Sequence, residues 1–304
     1  MVTVRQLRAV LSTPSRRPVS LRSVHRTLGI PLPATVVATY LVLGRVAVDD
    51  PDLVVSRSAA GLATARAAAL GRHIGDLRLR SLDGITEGPV PPIELLRASG
   101  SSAGACDLVT SAACGWALLL RHRPCDSVDG ETATRAAAAV LAAAAAGVVV
   151  DTTLPRAYTV AEEATRTAIS HLISFDHEPQ GIGRRVTTRG LTRFGLPEVT
   201  AHGVPSELLP ACDALLIGVA GRVVAALPHL GISGATVLEL AVPFRIQLDD
   251  IASGYGEPVA EDVTASRTID LVLEVAADST IVVDGAVGAV RALFGDALPH
   301  AGRT

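Results

Sequence analysis

The spacing of apolar and polar positions along the chain predicts strands punctuated by a few long helices. Thr35 to Leu43 is dense in β-branched and apolar residues and ends at Gly44, the pattern of a buried strand. Leu53 to Val55 reads as a short second strand, and Ser58 to Leu70 as an alanine-rich helix capped by Ser58 and stopped at Gly71. Leu77, Leu79 and Leu82 flank Arg78 and Arg80, the alternation of a half-exposed strand. Asp107 to Thr110 and Trp116 to Leu120 follow as strands. Asp129 to Ala146 is the strongest helix of the first half, and Val148 to Val150 the strand after it.

The second half opens with a helix over Ala161 to Thr167, then strands at His171 to Phe175, Arg185 to Arg189 and Val199 to His202. Ser206, entered through Pro205, caps a helix reaching Leu227. Val237 to Leu248 reads as one long strand with an edge or bulge at Pro243. Thr268 to Val275 and Ile281 to Val283 form a hairpin, and Ala286 to Phe294 a terminal helix. Runs of strands with a few helices predict an α+β fold, with mostly antiparallel or mixed sheets packed against long helices. Residues 1–33, rich in arginine and proline, read as a poorly packed lead-in. A soft boundary near Pro155 divides 34–155 from 156–304, with one continuous domain as the alternative partition.

Composition narrows the function classes. The 304 residues are 49% hydrophobic and 19% charged, on the globular side of the disorder boundary. Aromatics make up 3%, so the core must be built from small aliphatic side chains. Lysine and asparagine are absent, which excludes a P-loop lysine, a Schiff-base lysine and a lysine general base. A formal charge of -3 and few aromatics argue against nucleic acid as a partner. Cys106, Cys114, Cys125 and Cys212 lack zinc-knuckle or Cys-x-x-Cys spacing and read as free thiols. Met1 to Pro18 has no apolar core of a secretory signal, and Ala136 to Val150 is too short to cross a bilayer. A cytoplasmic protein with no membrane partner is expected.

Three clusters carry candidate chemistry. Gly100-Ser101-Ser102-Ala103-Gly104 fits the G-x-S-x-G nucleophile elbow, with Asp151 or Asp176 and His202 or His229 available to complete a triad. That motif needs a strand before it and a helix after it, whereas Ile93 to Ala98 could be a helix and Ala105 to Thr110 reads as a strand. The bland alternative is a flexible surface loop. Asp176, His177 and Glu178 could form an acid–base pair or, as a structural alternative, a solvated turn. His171 and His177 would lie about 20 Å apart on one strand, too far to share a metal. No metal site is expected. In Arg184 to Arg193, strand alternation puts Arg185, Thr187 and Arg189 on one face, suited to binding a small anion or, as the favoured structural alternative, to pairing with acids on a neighbour such as Glu178 or Glu198. The short glycine pairs at Gly181 and Gly183 and at Gly285 and Gly288 lack dinucleotide-loop spacing, so no cofactor is expected.

The stretch Thr188-Arg189-Gly190-Leu191-Thr192-Arg193-Phe194-Gly195-Leu196-Pro197-Glu198 resembles the T-[RK]-G-L-x-[RK]-F-G-x-P-E signature of bacterial, largely actinobacterial, domains of unknown function. The resemblance is tight over these eleven residues and extends loosely over 130–304; it implies a shared fold and carries no activity. Leu191 and Phe194, three apart between two glycines, are expected to turn inward into the core of the second half, making the motif a structural plug. Two functional readings follow. One is a binding or accessory protein that self-associates, its long apolar helices shared with a second copy. The other is a cofactor-free enzyme for a small anionic or apolar substrate, with Arg185 and Arg189 holding the anion and Asp176 or His177 moving the proton. A serine hydrolase acting through Ser102 is a third, narrower possibility.

Overall fold

The structure is a computed structural model that describes residues 26–58, 62–82, 90–166, 168–233, 235–257 and 267–295. Its residues group into two compact units. The N-terminal unit comprises 33–167 together with 193–195; the C-terminal unit takes the chain up to 32, 168–192 and everything from 196 onward. The expected boundary at Pro155 falls inside the N-terminal unit, between two strands that pair with each other. Strand β1 (Arg26–Pro31) belongs to the C-terminal unit and buries Ile30, where a poorly packed lead-in was expected. The rest of that lead-in, to residue 25, lies outside the described residues.

In the N-terminal unit, β2 (Val36–Gly44) is followed by helices α1 (Pro51–Ser58) and α2 (Thr64–His73), then β3 (Leu77–Ser81). The expected strand at Leu53 to Val55 is helical because Asp50 caps the turn, its Oδ1 accepting from the Leu53 amide at 2.9 Å, and Pro51 is pre-set for a first helical position. Helices α3 (Ile93–Ala98) and α4 (Ala103–Thr110) come next, the second replacing the strand expected at Asp107 to Thr110. Strand β4 (Cys114–His122) leads to α5 (Ser127–Ala144), β5 (Val148–Asp151), β6 (Arg156–Thr159) and α6 (Val160–Thr165). The sheet runs β3-β4-β2-β5-β6 and is antiparallel throughout. Both faces are covered, so alternate residues of one strand serve two cores. Ala38, Tyr40 and Val42 meet α1, α2 and α5, whereas Leu41 and Leu43 meet α3 and α4. Alanine dominates α5 because small side chains let a helix lie close against the sheet.

The C-terminal unit adds β7 (Ser174–Gln180), β8 (Gly183–Arg189) and β9 (Val199–Val204), then the 25-residue helix α7 (Leu209–Ser233). The expected strand at His171 to Phe175 is a 3-10 turn, Ile169–His171, with β7 starting only at Ser174. Val237 to Leu248 is split at Pro243 into β10 (Val237–Val242), which pairs with β1, and β11 (Phe244–Gln247), which enters the main sheet. Helix α8 (Leu248–Gly254), the hairpin β12 (Thr268–Val275) and β13 (Ile281–Asp284), and α9 (Ala286–Phe294) complete the unit. The six-stranded sheet, in the order β11-β12-β13-β9-β8-β7, is antiparallel except for the parallel β13–β9 pair. The fold is α+β, as the pattern predicts. Among the described residues, one helix, Ser206–Gly231, is long and apolar enough to cross a membrane, and 67% of the apolar 18-residue window within it is buried inside the protein.

Candidate functional site

Most of the distinctive residues of the Thr188 to Glu198 segment have a local structural task. Gly190 has φ +113, and a Cβ there would strike the Leu172 carbonyl. Glu198 folds back on the segment. Its Oε1 accepts from the Gly190 and Leu191 amides at 2.8 and 3.0 Å, and its Oε2 from the Thr188 hydroxyl at 2.7 Å. The Thr188 hydroxyl accepts in turn from the Val199 amide. Burial pushes the Glu198 carboxyl up, against the downward pull of these hydrogen bonds. Leu191 and Phe194 are both buried, but Phe194 belongs to the N-terminal unit, not to the second half as expected.

Arg193 enters the densest group of ionisable side chains in the N-terminal unit. Its Nη1 donates to the Tyr40 hydroxyl at 2.8 Å and to Glu131 Oε1 at 2.5 Å, and its Nη2 donates to both oxygens of Asp151. Tyr40 donates to Glu131 across a short contact. Glu163 accepts from Arg135 and Arg166, and the Arg166 guanidinium stacks 3.4 Å above the Tyr158 ring. Three arginines thus meet three carboxylates, and none of the six side chains is more than 6% exposed. Burial raises the Tyr40 hydroxyl well above the usual tyrosine range, helped by Asp151 and Glu131. Burial works against the Arg193 charge, yet Asp151, Tyr40 and Glu131 hold it well above the ordinary arginine value. Closed to solvent and internally neutral, this network shapes a core. Sequence reasoning missed it because nothing marks Glu131, Asp151 or Arg193 as buried; the four-residue spacing of Glu131 and Arg135 in an alanine helix is the one available signal.

The candidate residues named from the sequence are distributed as follows. Ser102 lies between two helices, not after a strand, and its Oγ accepts from the Ala105 amide at 3.2 Å as the cap of α4. Asp151, one proposed triad partner, is locked in the Arg193 network. On the paired ribbon β7–β8, Asp176 and His177 point to opposite faces because they are adjacent in one strand. Asp176 pairs with Arg189 and Asp278 with Arg185, so both arginines expected to hold an anion already hold carboxylates. His177 faces α7, with its Nε2 2.9 Å from Asp213 Oδ1 and its ring stacked on Phe175. Asp213 is the half-open carboxylate in a helical stretch buried from Ala211 to Ala220, and burial raises it while His177 pulls it down. Burial likewise pushes Cys212 and Tyr255, both coupled to Asp213, up to about 12. Among the described residues, no three His, Cys, Asp or Glu side chains gather as a metal site requires. No family model, curated protein or solved structure matches the chain.

Proposed function

We propose that the protein is a soluble, cytoplasmic binding or accessory protein that associates with itself. The observation that carries this reading is the prior engagement of Arg185 by Asp278 and of Arg189 by Asp176, at the positions where an enzyme for small anions would hold its substrate. Glu198 and Arg193 of the Thr188 to Glu198 segment add support, because one hydrogen-bonds the segment's own backbone and the other completes a core. Under this reading, the resemblance to actinobacterial domains of unknown function is one of fold. The test is turnover of activated esters and phosphomonoesters by wild type and by a Ser102→Ala, Asp176→Asn, His177→Gln triple variant. Equal background rates are expected; a rate that falls in the variant would replace this reading with an enzyme. Sedimentation equilibrium should give a mass of at least twice 31.2 kDa, and a monomer mass would remove self-association from this reading.

One observation favours the enzyme reading. The His177–Asp213 pair is an imidazole oriented by a partly buried carboxylate, the arrangement that activates a general base. His177→Gln alone separates the two readings in the same assay.

A further inference from the structure

The β7–β8 ribbon carries three arginines, and they are not equivalent. Arg185 and Arg189 occupy one face and are paired with Asp278 and Asp176. Arg184 lies on the opposite face, across from Pro179 and therefore on the side of His177. Among the described residues no carboxylate pairs with it; its Nη1 donates to the His177 carbonyl at 3.1 Å. His177 directs Nε2 to Asp213, which leaves Nδ1 without a protein partner among the described residues, on a side chain 32% exposed to solvent.

We propose that Arg184 and His177 form an anion site on the α7 side of the C-terminal unit, taking a small tetrahedral dianion such as a phosphate or sulfate group. Arg184 supplies a permanent charge in a planar fork of donors, which suits oxyanion geometry. Asp213 fixes the ring through Nε2, and a protonated imidazole offers its Nδ1–H as the second donor. Cys212 from α7 and Tyr255 beyond α8 both interact with Asp213, and burial keeps both neutral at physiological pH. Asp176 and Glu178, the neighbours on β7, project from the opposite face and do not compete with the ligand. The binding capacity expected of Arg185 and Arg189 thus moves one residue along the strand, to the other side of the sheet.

This inference names a ligand class for the binding reading and rests on it; the turnover assay judges that reading separately. The experiment is thermal unfolding of the full chain in sulfate and in chloride at matched ionic strength, at pH 6 and pH 8. Sulfate keeps its charge across this range, so any change with pH belongs to the protein. Sulfate also stabilises proteins generically by exclusion from their surface, so the variants supply the reference. The expected result is a sulfate-specific rise in melting temperature that is larger at pH 6, vanishes in Arg184→Gln, loses its pH dependence in His177→Gln and survives in an Arg185→Gln, Arg189→Gln double variant. Equal melting in the two salts for wild type, or a wild-type rise no larger than that of Arg184→Gln, would overturn the site.

Discussion

The Nη2 of Arg193 sits between the two carboxylate oxygens of Asp151, 3.1 and 3.0 Å away, and neither side chain is more than 2% exposed. A charge pair with so little access to water contributes little net stability while intact, because desolvation of both groups offsets their attraction. Its removal on one side is another matter, since the remaining charge has no water to turn to.

Arg193→Ala should therefore destabilise the fold by about 3–5 kcal/mol, through Asp151 and Glu131 left uncompensated. Equilibrium urea unfolding measures it. Arg193→Lys, which keeps the charge but loses the planar set of donors that spans Tyr40, Glu131 and Asp151, should fall between wild type and the alanine variant. A lysine variant as stable as wild type would mean that charge alone, not geometry, is what the network requires.

Phe194 is 1% exposed and packs within the N-terminal unit. Truncation to alanine should lower stability by about 3–5 kcal/mol, the usual range for a buried ring. A Phe194→Ala variant melting within a degree or two of wild type would place the ring in solvent and turn the segment into a candidate binding loop.

Gly195 has φ +73, and a Cβ there would lie 2.8 Å from Val36 Cγ2 and 3.1 Å from Pro33 Cγ. Both neighbours are stiff, one β-branched and one a ring, so they cannot swing aside. Gly195→Ala should cost about 1–3 kcal/mol from backbone strain and crowding together. An unchanged urea midpoint would show that the backbone relaxes out of the left-handed region without penalty.

All four cysteines are free, with Cys106 and Cys212 buried. Thiol titration of the denatured protein without reductant should recover four groups. In the native protein Cys212, buried and pushed up to about 12, should stay unreactive at neutral pH. Recovery of two thiols or none after denaturation would demand a disulfide and an oxidising compartment.

Much of the fold was legible where a segment carries its own start and stop. Ala286–Phe294 is helical at the expected residues because Gly285 and Gly295, both at positive φ, bound an apolar stretch with one clear buried face. The failures have one physical root. Ala103–Thr110 and Pro51–Ser58 are short stretches with no diagnostic period, and only the capping groups at Ser102 and Asp50 decide for helix. The candidate site was half visible. His177 stands out in the sequence, but Asp213 is 36 residues away in a mostly apolar helix. Arg184 was passed over for Arg185 and Arg189, because a strand's alternation shows which residues share a face but not which face meets carboxylates.

Glu198 sets two effects on one carboxylate against each other. Burial disfavours its charge, whereas the amides of Gly190 and Leu191 and the hydroxyl of Thr188 favour it. Burial prevails, and the folded-state pKa lies above that of the unfolded chain. Folding then takes up a proton in the interval between the two values. The stabilisation from that proton is fully present below the unfolded value, about 4.3, and is lost as pH rises through the folded value. Glu198→Gln has no titrating group, so its hydrogen-bond losses are constant with pH while the wild-type term is not. The stability advantage of wild type over Glu198→Gln should therefore shrink as pH rises from about 4 to about 7, measured by urea unfolding at each pH. An advantage that grows over the same interval would reverse the order of the two effects. The hydrogen bonds from the Thr188 to Leu191 turn would then outweigh burial, and Glu198 would act as an ionised anchor for that turn.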